Sequence, residues 1–114
     1  MNNDCLFCKI ANHLEPAKII SEDEEIIVVE SKFPQAPIHL LVLPKIHLDK
    51  TEAHKTLHDG LYDRLIQTCG KTAEKLGLAE GDYKIIINGR ANAHFDHEHL
   101  HLLGRLAHRS SKGA

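Results

Sequence analysis

The segment HEHLHLL, residues 97–103, places histidine at three alternate positions. Successive side chains of a β-strand point to opposite faces of a sheet, so this spacing predicts a strand with His97, His99 and His101 on one face. The side chains between them point the other way, where a helix can cover them. The segment therefore predicts the last strand of a sheet with one polar, chemically competent face and one packed face.

The side chains between the histidines indicate what the second face contacts. Leu100 and Leu102 are suited to burial beneath a helix. Glu98 does not fit an apolar face, and we expect it near the strand start, where its carboxylate reaches water or a cation. Three adjacent imidazoles have little structural use, because histidine packs poorly and protonated rings repel one another. Near neutral pH imidazole serves as metal ligand, nucleophile or proton carrier, so the row indicates a functional site.

The rest of the chain predicts one small α+β domain, residues 1–114, around this strand. Apolar stretches flank an acidic turn, two prolines bound an apolar central stretch, and one long segment has helical apolar spacing that ends at Gly77. The predicted elements are a short helix over 5–13, hairpin strands over 18–21 and 25–30, strands over 38–43, 83–88 and 97–103, and a helix over 58–76. We expect an antiparallel sheet of about five strands, covered by the long helix, with the short helix at the N-terminus.

The composition limits the classes of partner. The formal net charge of −2 argues against a broad nucleic-acid surface, which requires a basic excess on one face, but is compatible with a small anionic ligand. No apolar run approaches the roughly 20 residues that cross a bilayer, and the N-terminus lacks the apolar core of a secretory signal. We therefore expect a cytoplasmic protein that binds neither nucleic acid nor membrane.

The cysteine spacing points to a metal or a redox pair. A structural disulfide is not expected in the cytoplasm. Cys5 and Cys8 form a C-x-x-C motif, which is typical of metal ligands or of a redox pair. No thioredoxin-like βαβ pattern surrounds the motif, and two unligated thiols in a helix are a third interpretation. Cys69 lies on the apolar face of the long predicted helix, where a small buried hydrophobe is expected.

Five segments, in order, resemble the histidine triad (HIT) family of nucleotide-binding hydrolases and transferases. The histidine row followed by apolar residues resembles the family signature, and the likeness covers nearly the whole chain. It is strongest toward the small branch close to the histidine triad nucleotide-binding proteins. The segments are CLFCKI (5–10), EPAKIISEDEEIIVV (15–29), PQAPIHLLVLPKIHL (34–48), EKLGLAEGDYKIIING (74–89) and HEHLHLLGR (97–105).

This resemblance implies an enzyme that cleaves a phosphorus bond in a nucleoside monophosphate derivative. The substrate would be a purine nucleotide such as an adenosine phosphoramidate or a dinucleoside polyphosphate. By position, His99 attacks the α-phosphorus and forms a nucleotidyl-histidine intermediate, while His101 donates to the phosphoryl oxygens or the leaving group. His39 orients the triad, of which His97 is the first member, and Asn88 faces the phosphate and ribose. The family also implies a homodimer whose sheets join into one.

The nucleotide-binding positions that the resemblance implies are partly altered. His94 occupies the place of a phosphate-contacting serine, where it either donates to phosphate or is a surface loop residue. Ser31 occupies the place of an aspartate, and loss of the carboxylate is expected to weaken hydrogen bonding to the ribose hydroxyls. Ile10, Leu14 and Val29 resemble the family's base pocket, although core packing explains them equally well.

The resemblance gives the C-x-x-C motif a specific meaning. In one branch of the family, mostly bacterial, two such cysteines bind zinc together with two histidines. By position the four ligands are Cys5, Cys8, His47 and His97. Two thiolates and two imidazoles form a closed tetrahedral set, which is typical of a structural zinc site and leaves no coordination position for water.

The departures from the family pattern leave a rival interpretation open. Ala93, Asp96 and Glu98 replace residue types that are usual around the motif, in addition to the changes at Ser31 and His94. In the rival interpretation, the chain is a non-catalytic nucleotide-binding or interaction module. A third interpretation, in which all the histidines bind metal as in a metal store, agrees least with the wider pattern.

Overall fold

The computed structural model describes residues 5–49, 53, 59–78, 81–89 and 97–106. Its helices are α1 (Leu6–Ala11) and α2 (Leu61–Lys75), and its strands are β1 (Ile19–Glu22), β2 (Ile26–Glu30), β3 (Ile38–Pro44), β4 (Tyr83–Ile87) and β5 (Leu100–Gly104). Neighbouring strands are antiparallel in the order β1-β2-β3-β5-β4. The predicted α+β fold, with five antiparallel strands, one long helix and a short N-terminal helix, is confirmed.

Each face of the sheet buries its own apolar cluster, because successive side chains of a strand alternate between the faces. The cluster on the α2 side contains Ile26, Val28, Leu40, Val42, Leu48, Ala53, Leu61, Leu65, Cys69, Leu100 and Leu102. The cluster on the α1 side contains Phe7, Ile10, Ala11, Ile27, Val29 and Leu43. The predicted burial of Leu100 and Leu102 under the long helix, and of Cys69 as a small hydrophobe, is confirmed.

Glycines with positive φ mark both ends of α2. Gly60 has φ +84° in a turn before the helix, which therefore begins at residue 61 and not at the predicted 58. At the other end, the N–H of Gly77, which has φ +74°, donates to the carbonyl of Glu74, and the N–H of Leu78 donates to the carbonyl of Ala73. This Schellman arrangement confirms the predicted stop at Gly77. Within the described ranges, no helix is long and apolar enough to cross a membrane.

The acidic turn between β1 and β2 forms the predicted hairpin. A carboxylate oxygen of Asp23 accepts hydrogen bonds from the backbone N–H groups of Glu25 and Ile26, each at 2.8 Å. Arg64 of α2 donates two hydrogen bonds of 2.7 Å to the carboxylate of Glu25. The turn is therefore fixed by its own side chain and attached to the long helix.

The last strand begins later than its alternating sequence predicts. β5 begins at Leu100, which pairs with Val42 of β3 and with Ile87 of β4. His101 belongs to the strand, but His97 and His99 precede it. The prediction that all three histidines share one strand face is therefore wrong for His97 and His99. The strand begins after them, and the N–H of Glu98 between them donates to the carbonyl of Leu48 in the loop after β3.

Candidate active site and metal centre

The segment that precedes β5 connects two chemically different sites. The backbone N–H of Glu98 donates to the carbonyl of Leu48 at 2.7 Å, which holds this segment beside the loop after β3. His97 contacts cysteine and histidine side chains, whereas His99 lines a pocket. The alternating histidines thus serve two sites and do not form a single row of imidazoles.

A pocket of about 570 Å³ lies on the α1 side of the sheet. Its walls come from α1, from β2 and the loop that follows it, and from β3, β4 and β5. Seven residues predicted to belong to the site line it: Ile10, Val29, Ser31, His39, Asn88, His99 and His101. Leu14 is 62% exposed and does not line it. His94 lies outside the described residues. Apolar walls with a few converging polar groups are typical of a small-molecule site.

A backbone carbonyl determines the tautomer of His99. Its Nδ1 lies 2.8 Å from the carbonyl oxygen of His97. A carbonyl oxygen only accepts, so Nδ1 carries the proton and the neutral ring has its lone pair on Nε2. The ring of Phe7 contacts His99 edge-on, with the ring centroids 4.9 Å apart. His99 is buried, and these contacts fix its orientation, with the lone pair of the neutral ring on Nε2.

A second set of hydrogen bonds orients His39 and His101. The backbone N–H of Gln35 donates to His39 Nδ1 at 3.0 Å, so the proton of neutral His39 resides on Nε2. That N–H donates to His101 Nδ1 at 2.8 Å, which places the proton of neutral His101 on its own Nε2. Burial lowers the pKa of His39 and favours this neutral form. The result is a chain of N–H groups that ends at the buried Nε2 of His101, a residue that lines the pocket.

Four side chains predicted to bind metal converge behind the pocket. The ligand atoms of Cys5, Cys8, His47 and His97 all lie within 4.8 Å of one another. Cys5 Sγ is 3.4 Å and Cys8 Sγ is 3.6 Å from His97 Nδ1, and Cys8 Sγ is 3.3 Å from His47 Nδ1. Tetrahedral zinc would separate a sulfur and a nitrogen ligand by about 3.5 Å. The spacing and the donor set therefore fit a zinc ion.

The tautomer of His97 also fits a metal ligand. Its Nε2 lies 2.8 Å from the carbonyl oxygen of Pro44, so Nε2 carries the proton and Nδ1 presents a lone pair to the two sulfurs. Burial is the main cause that lowers the pKa of His97 to about 4, and this keeps the ring neutral. The carbonyl of His97 also accepts from His99, so one amino acid links the candidate metal-binding cluster to the pocket.

The start of α1 contributes to both sites. Cys5 caps the helix, and its sulfur accepts a hydrogen bond from the backbone N–H of Cys8 at 3.4 Å. Between them lies Phe7, whose ring contacts His97 and His99 at centroid distances of 5.8 and 4.9 Å. The sequence offered no signal for this role of Phe7, because an apolar residue in a short helix is ordinarily core.

The position of Glu98 differs from the prediction. Glu98 is fully buried, whereas we expected its carboxylate to reach water or a cation. One carboxylate oxygen accepts from the phenol of Tyr62 on α2, and the other accepts from the backbone N–H of His99 at 2.8 Å. Burial, followed by contact with this carboxylate, raises the pKa of Tyr62. Tyr62 was missed because its link to residue 98 spans 36 positions and has no sequence signature.

The loop after β2 presents polar groups at the pocket mouth. The hydroxyl of Ser31, at the family's aspartate position, accepts from the backbone N–H of Phe33 at 3.2 Å. Lys32, Phe33 and Gln35 also line the pocket, and Phe33 is 84% exposed. The carboxylate expected from the family is thus replaced by a hydroxyl that already stabilises its own loop.

Comparison with known proteins relates this geometry to a family. A model of the family described as "Scavenger mRNA decapping enzyme C-term binding" matches residues 4–113. The purine nucleoside phosphoramidase of Escherichia coli (strain K12) is 31% identical over 106 residues, which cover 91% of this chain and 89% of that protein. Both matches cover nearly the whole chain, so the similarity is not limited to one segment.

Solved structures extend the comparison to the fold. A HIT family hydrolase from Clostridium thermocellum superposes with a TM-score of 0.84 at 33% identity, over 91% of this chain and 92% of that one. A zinc-bound histidine triad family protein from Mycobacterium smegmatis has a TM-score of 0.72 at 30% identity, over 89% of this chain and 74% of that one. The chain therefore belongs to the histidine triad (HIT) family, and it is a hydrolase of the HIT type.

Proposed function

We propose that this protein cleaves a phosphorus bond of a purine nucleoside monophosphate derivative through a nucleotidyl-histidine intermediate on His99. An adenosine phosphoramidate or a dinucleoside polyphosphate is the substrate class. The observation that carries the proposal is the orientation of His99, whose Nδ1–H is bound by the carbonyl of His97 and whose ring lines the pocket. The similarity to a protein named purine nucleoside phosphoramidase supports this substrate class.

The proposed reaction has two displacements at phosphorus. In the first, the lone pair of His99 Nε2 forms a bond to the α-phosphorus, and the bond from phosphorus to the leaving group breaks. The leaving group takes the broken bond's electron pair and a proton from solvent, while the N–H of His101 Nε2 donates a hydrogen bond to the phosphoryl oxygens or the leaving group. In the second, a water oxygen bonds to phosphorus, the bond to His99 breaks with its electron pair returning to Nε2, and one proton of the water is released to solvent. Two steps with a covalent intermediate predict ping-pong kinetics.

The other pocket residues would hold the nucleotide. We propose that Asn88 faces the phosphate and ribose, with Ser31 near the ribose, and that Ile10 and Val29 contact the base. Each lines the same pocket as His99. His94 is proposed as a further phosphate donor. Because Ser31 supplies a hydroxyl in place of a carboxylate, we expect weaker selection for the ribose hydroxyls than an aspartate would give.

Replacing His39 tests the proposed N–H chain. His39→Leu removes the donor to His101 Nδ1, so we expect kcat to fall by about tenfold with little change in KM. His39→Gln keeps an N–H near the position of Nε2 and should retain more activity than the leucine variant. Steady-state kinetics of both variants on adenosine 5′-phosphoramidate provide the measurement. Equal losses in the two variants would contradict a donor role for this residue.

Incubation of the purified protein with adenosine 5′-phosphoramidate tests the proposed function directly. We expect steady release of AMP, followed by chromatography, at a rate proportional to enzyme concentration. Binding of AMP to the pocket without turnover of either adenosine 5′-phosphoramidate or a dinucleoside polyphosphate would instead favour a nucleotide-binding module.

We propose that Cys5, Cys8, His47 and His97 hold a structural zinc ion. The donor distances fit tetrahedral geometry, and the carbonyl of Pro44 fixes the ligating nitrogen of His97. A bound metal would fasten α1 to the segment before β5 and, with four protein ligands, would leave no position to activate water. Metal-bound thiolates suit a reducing compartment, and we propose a cytoplasmic location.

We also propose a homodimer that forms through β4, each protomer contributing one domain of residues 1–114. Among the described strands, β4 lies at one edge of the sheet and β1 lies at the other. Ile87 on β4 is 44% exposed, and an exposed strand edge can pair with a second copy. Pairing there would join two five-stranded sheets into one, as the HIT resemblance implies.

A charge on the β4 edge should weaken this dimer. Ile87→Asp places like charges from both copies near the proposed contact, so we expect the dimer Kd to rise by at least about 30-fold. Sedimentation equilibrium gives the measurement. Ile19→Asp is the matched control, because Ile19 is similarly exposed, at 38%, on the opposite edge strand. A monomeric wild type, or equal weakening by both substitutions, would contradict this interface.

A further inference from the structure

The backbone N–H of His99 is held by a side chain. β5 begins at Leu100, and the described residues immediately before it, 97–99, are not assigned to a strand. Next to the strand start, the backbone N–H of His99 donates to the carboxylate of Glu98 at 2.8 Å. The donor nitrogen is bonded to the Cα atom that carries the imidazole, so this hydrogen bond restricts the position of that Cα atom and of the ring.

The carboxylate that holds this N–H is itself held from the other side of the sheet. Glu98 has 0% exposure, so its orientation depends on protein contacts and not on water. Its second oxygen accepts from the hydroxyl of Tyr62, which is the second residue of α2. A buried carboxylate with a charge-assisted hydrogen bond from each of two donors is strongly constrained in direction.

Tyr62 is well anchored for such a contact. Its neighbours Leu61 and Leu65 are buried in the cluster between α2 and the sheet, and the ring of Tyr62 packs against the same cluster. Glu25 binds Arg64 with two hydrogen bonds of 2.7 Å, which fixes the same turn of the helix to the β1–β2 hairpin. The first turn of α2 is therefore a rigid support for the carboxylate.

We propose that Tyr62 and Glu98 are positioning residues that hold His99 in its attacking position, acting from the helix side of the sheet. The inference rests on the proposed role of His99 as nucleophile. His99 is then held at two points. The carbonyl of His97 holds its imidazole, and the carboxylate of Glu98 holds its backbone N–H. Neither Tyr62 nor Glu98 lines the pocket, so both act through His99 and not on the substrate.

Tyr62→Phe tests this proposal because it removes one hydroxyl and leaves the ring. We expect kcat on adenosine 5′-phosphoramidate to fall by about tenfold, while KM and the dissociation constant for AMP stay within a factor of about two. Tyr83→Phe is the matched control, since Tyr83 packs against the same cluster from β4, and it should retain wild-type kcat. Glu98→Gln keeps an acceptor for the N–H of His99 and should lose less activity than Glu98→Leu.

Amide hydrogen exchange gives a readout that needs no turnover. We expect the N–H of His99 to exchange faster in Tyr62→Phe than in wild type, while the N–H of Leu102 within β5 is unchanged. Wild-type kcat together with unchanged His99 exchange in Tyr62→Phe would overturn the proposal, as would equal acceleration at both amides. A wild type without turnover would contradict the proposed function alone, and the exchange comparison would then decide whether Tyr62 positions the segment.

Discussion

His99→Ala is expected to lower kcat/KM for adenosine 5′-phosphoramidate by about 10⁴-fold, the scale of loss when an enzyme loses its nucleophile. The reason is geometric: the carbonyl of His97 holds Nδ1–H, so the lone pair of His99 resides on the other nitrogen. Other pocket groups, such as His101, are oriented as donors and cannot substitute for it. Steady-state rates of AMP release measure the loss.

Two features make this result specific to the nucleophile. His99→Ala leaves the pocket walls in place, so AMP should still bind with a dissociation constant within about threefold of wild type. His13→Ala, which removes an exposed histidine paired with Glu22, is the control and should have wild-type kinetics. Comparable turnover in wild type and His99→Ala would contradict the covalent mechanism.

Loss of the metal centre is the second large effect that we expect. A double variant, Cys5→Ser with Cys8→Ser, removes both sulfur ligands from the four-residue cluster. If zinc binds the folded state with free metal about 1,000-fold above Kd, its loss lowers the free energy of unfolding by about 4 kcal/mol, or roughly 15 °C in Tm. Metal analysis should find one zinc per wild-type chain and none in the variant, and calorimetry measures the Tm.

The third cysteine provides the control for this experiment. Cys69 is buried in the α2 cluster, away from the metal ligands, so Cys69→Ala should retain stoichiometric zinc and lose only a small part of the stability. Wild-type protein purified without added metal that contains no zinc, or a double variant with unchanged Tm, would contradict a structural metal at Cys5 and Cys8.

The local sequence predicted much of the fold because the helices, strands and turns depend on residues that are close together in the sequence. The spacing of Leu61, Leu65 and Cys69 follows the period of a helix, and Gly77 supplies the positive φ that ends it. The acidic turn forms because Asp23 bonds to backbone groups only two and three residues away. Interactions of such short range leave a pattern in the sequence.

The site was less predictable because its contacts join distant residues. Alternation at residues 97–101 indicated one strand face, yet hydrogen bonds from His97 and Glu98 to Pro44 and Leu48 hold the segment outside the ladder. Residue types alone gave several interpretations of the cysteines. The family resemblance selected the four metal ligands, and the structure brings them together. Neither source indicated that a tyrosine would hold the buried carboxylate.

Detection of the covalent intermediate tests most directly whether His99 is the nucleophile. Wild-type protein mixed with adenosine 5′-phosphoramidate, quenched within the first turnover and measured by intact-mass spectrometry, should gain one adenylyl group. Peptide mapping should place it on His99, and His99→Ala should gain none. Steady turnover without any adduct, or an adduct on another residue that persists in His99→Ala, would contradict the proposed role of His99 as the nucleophile.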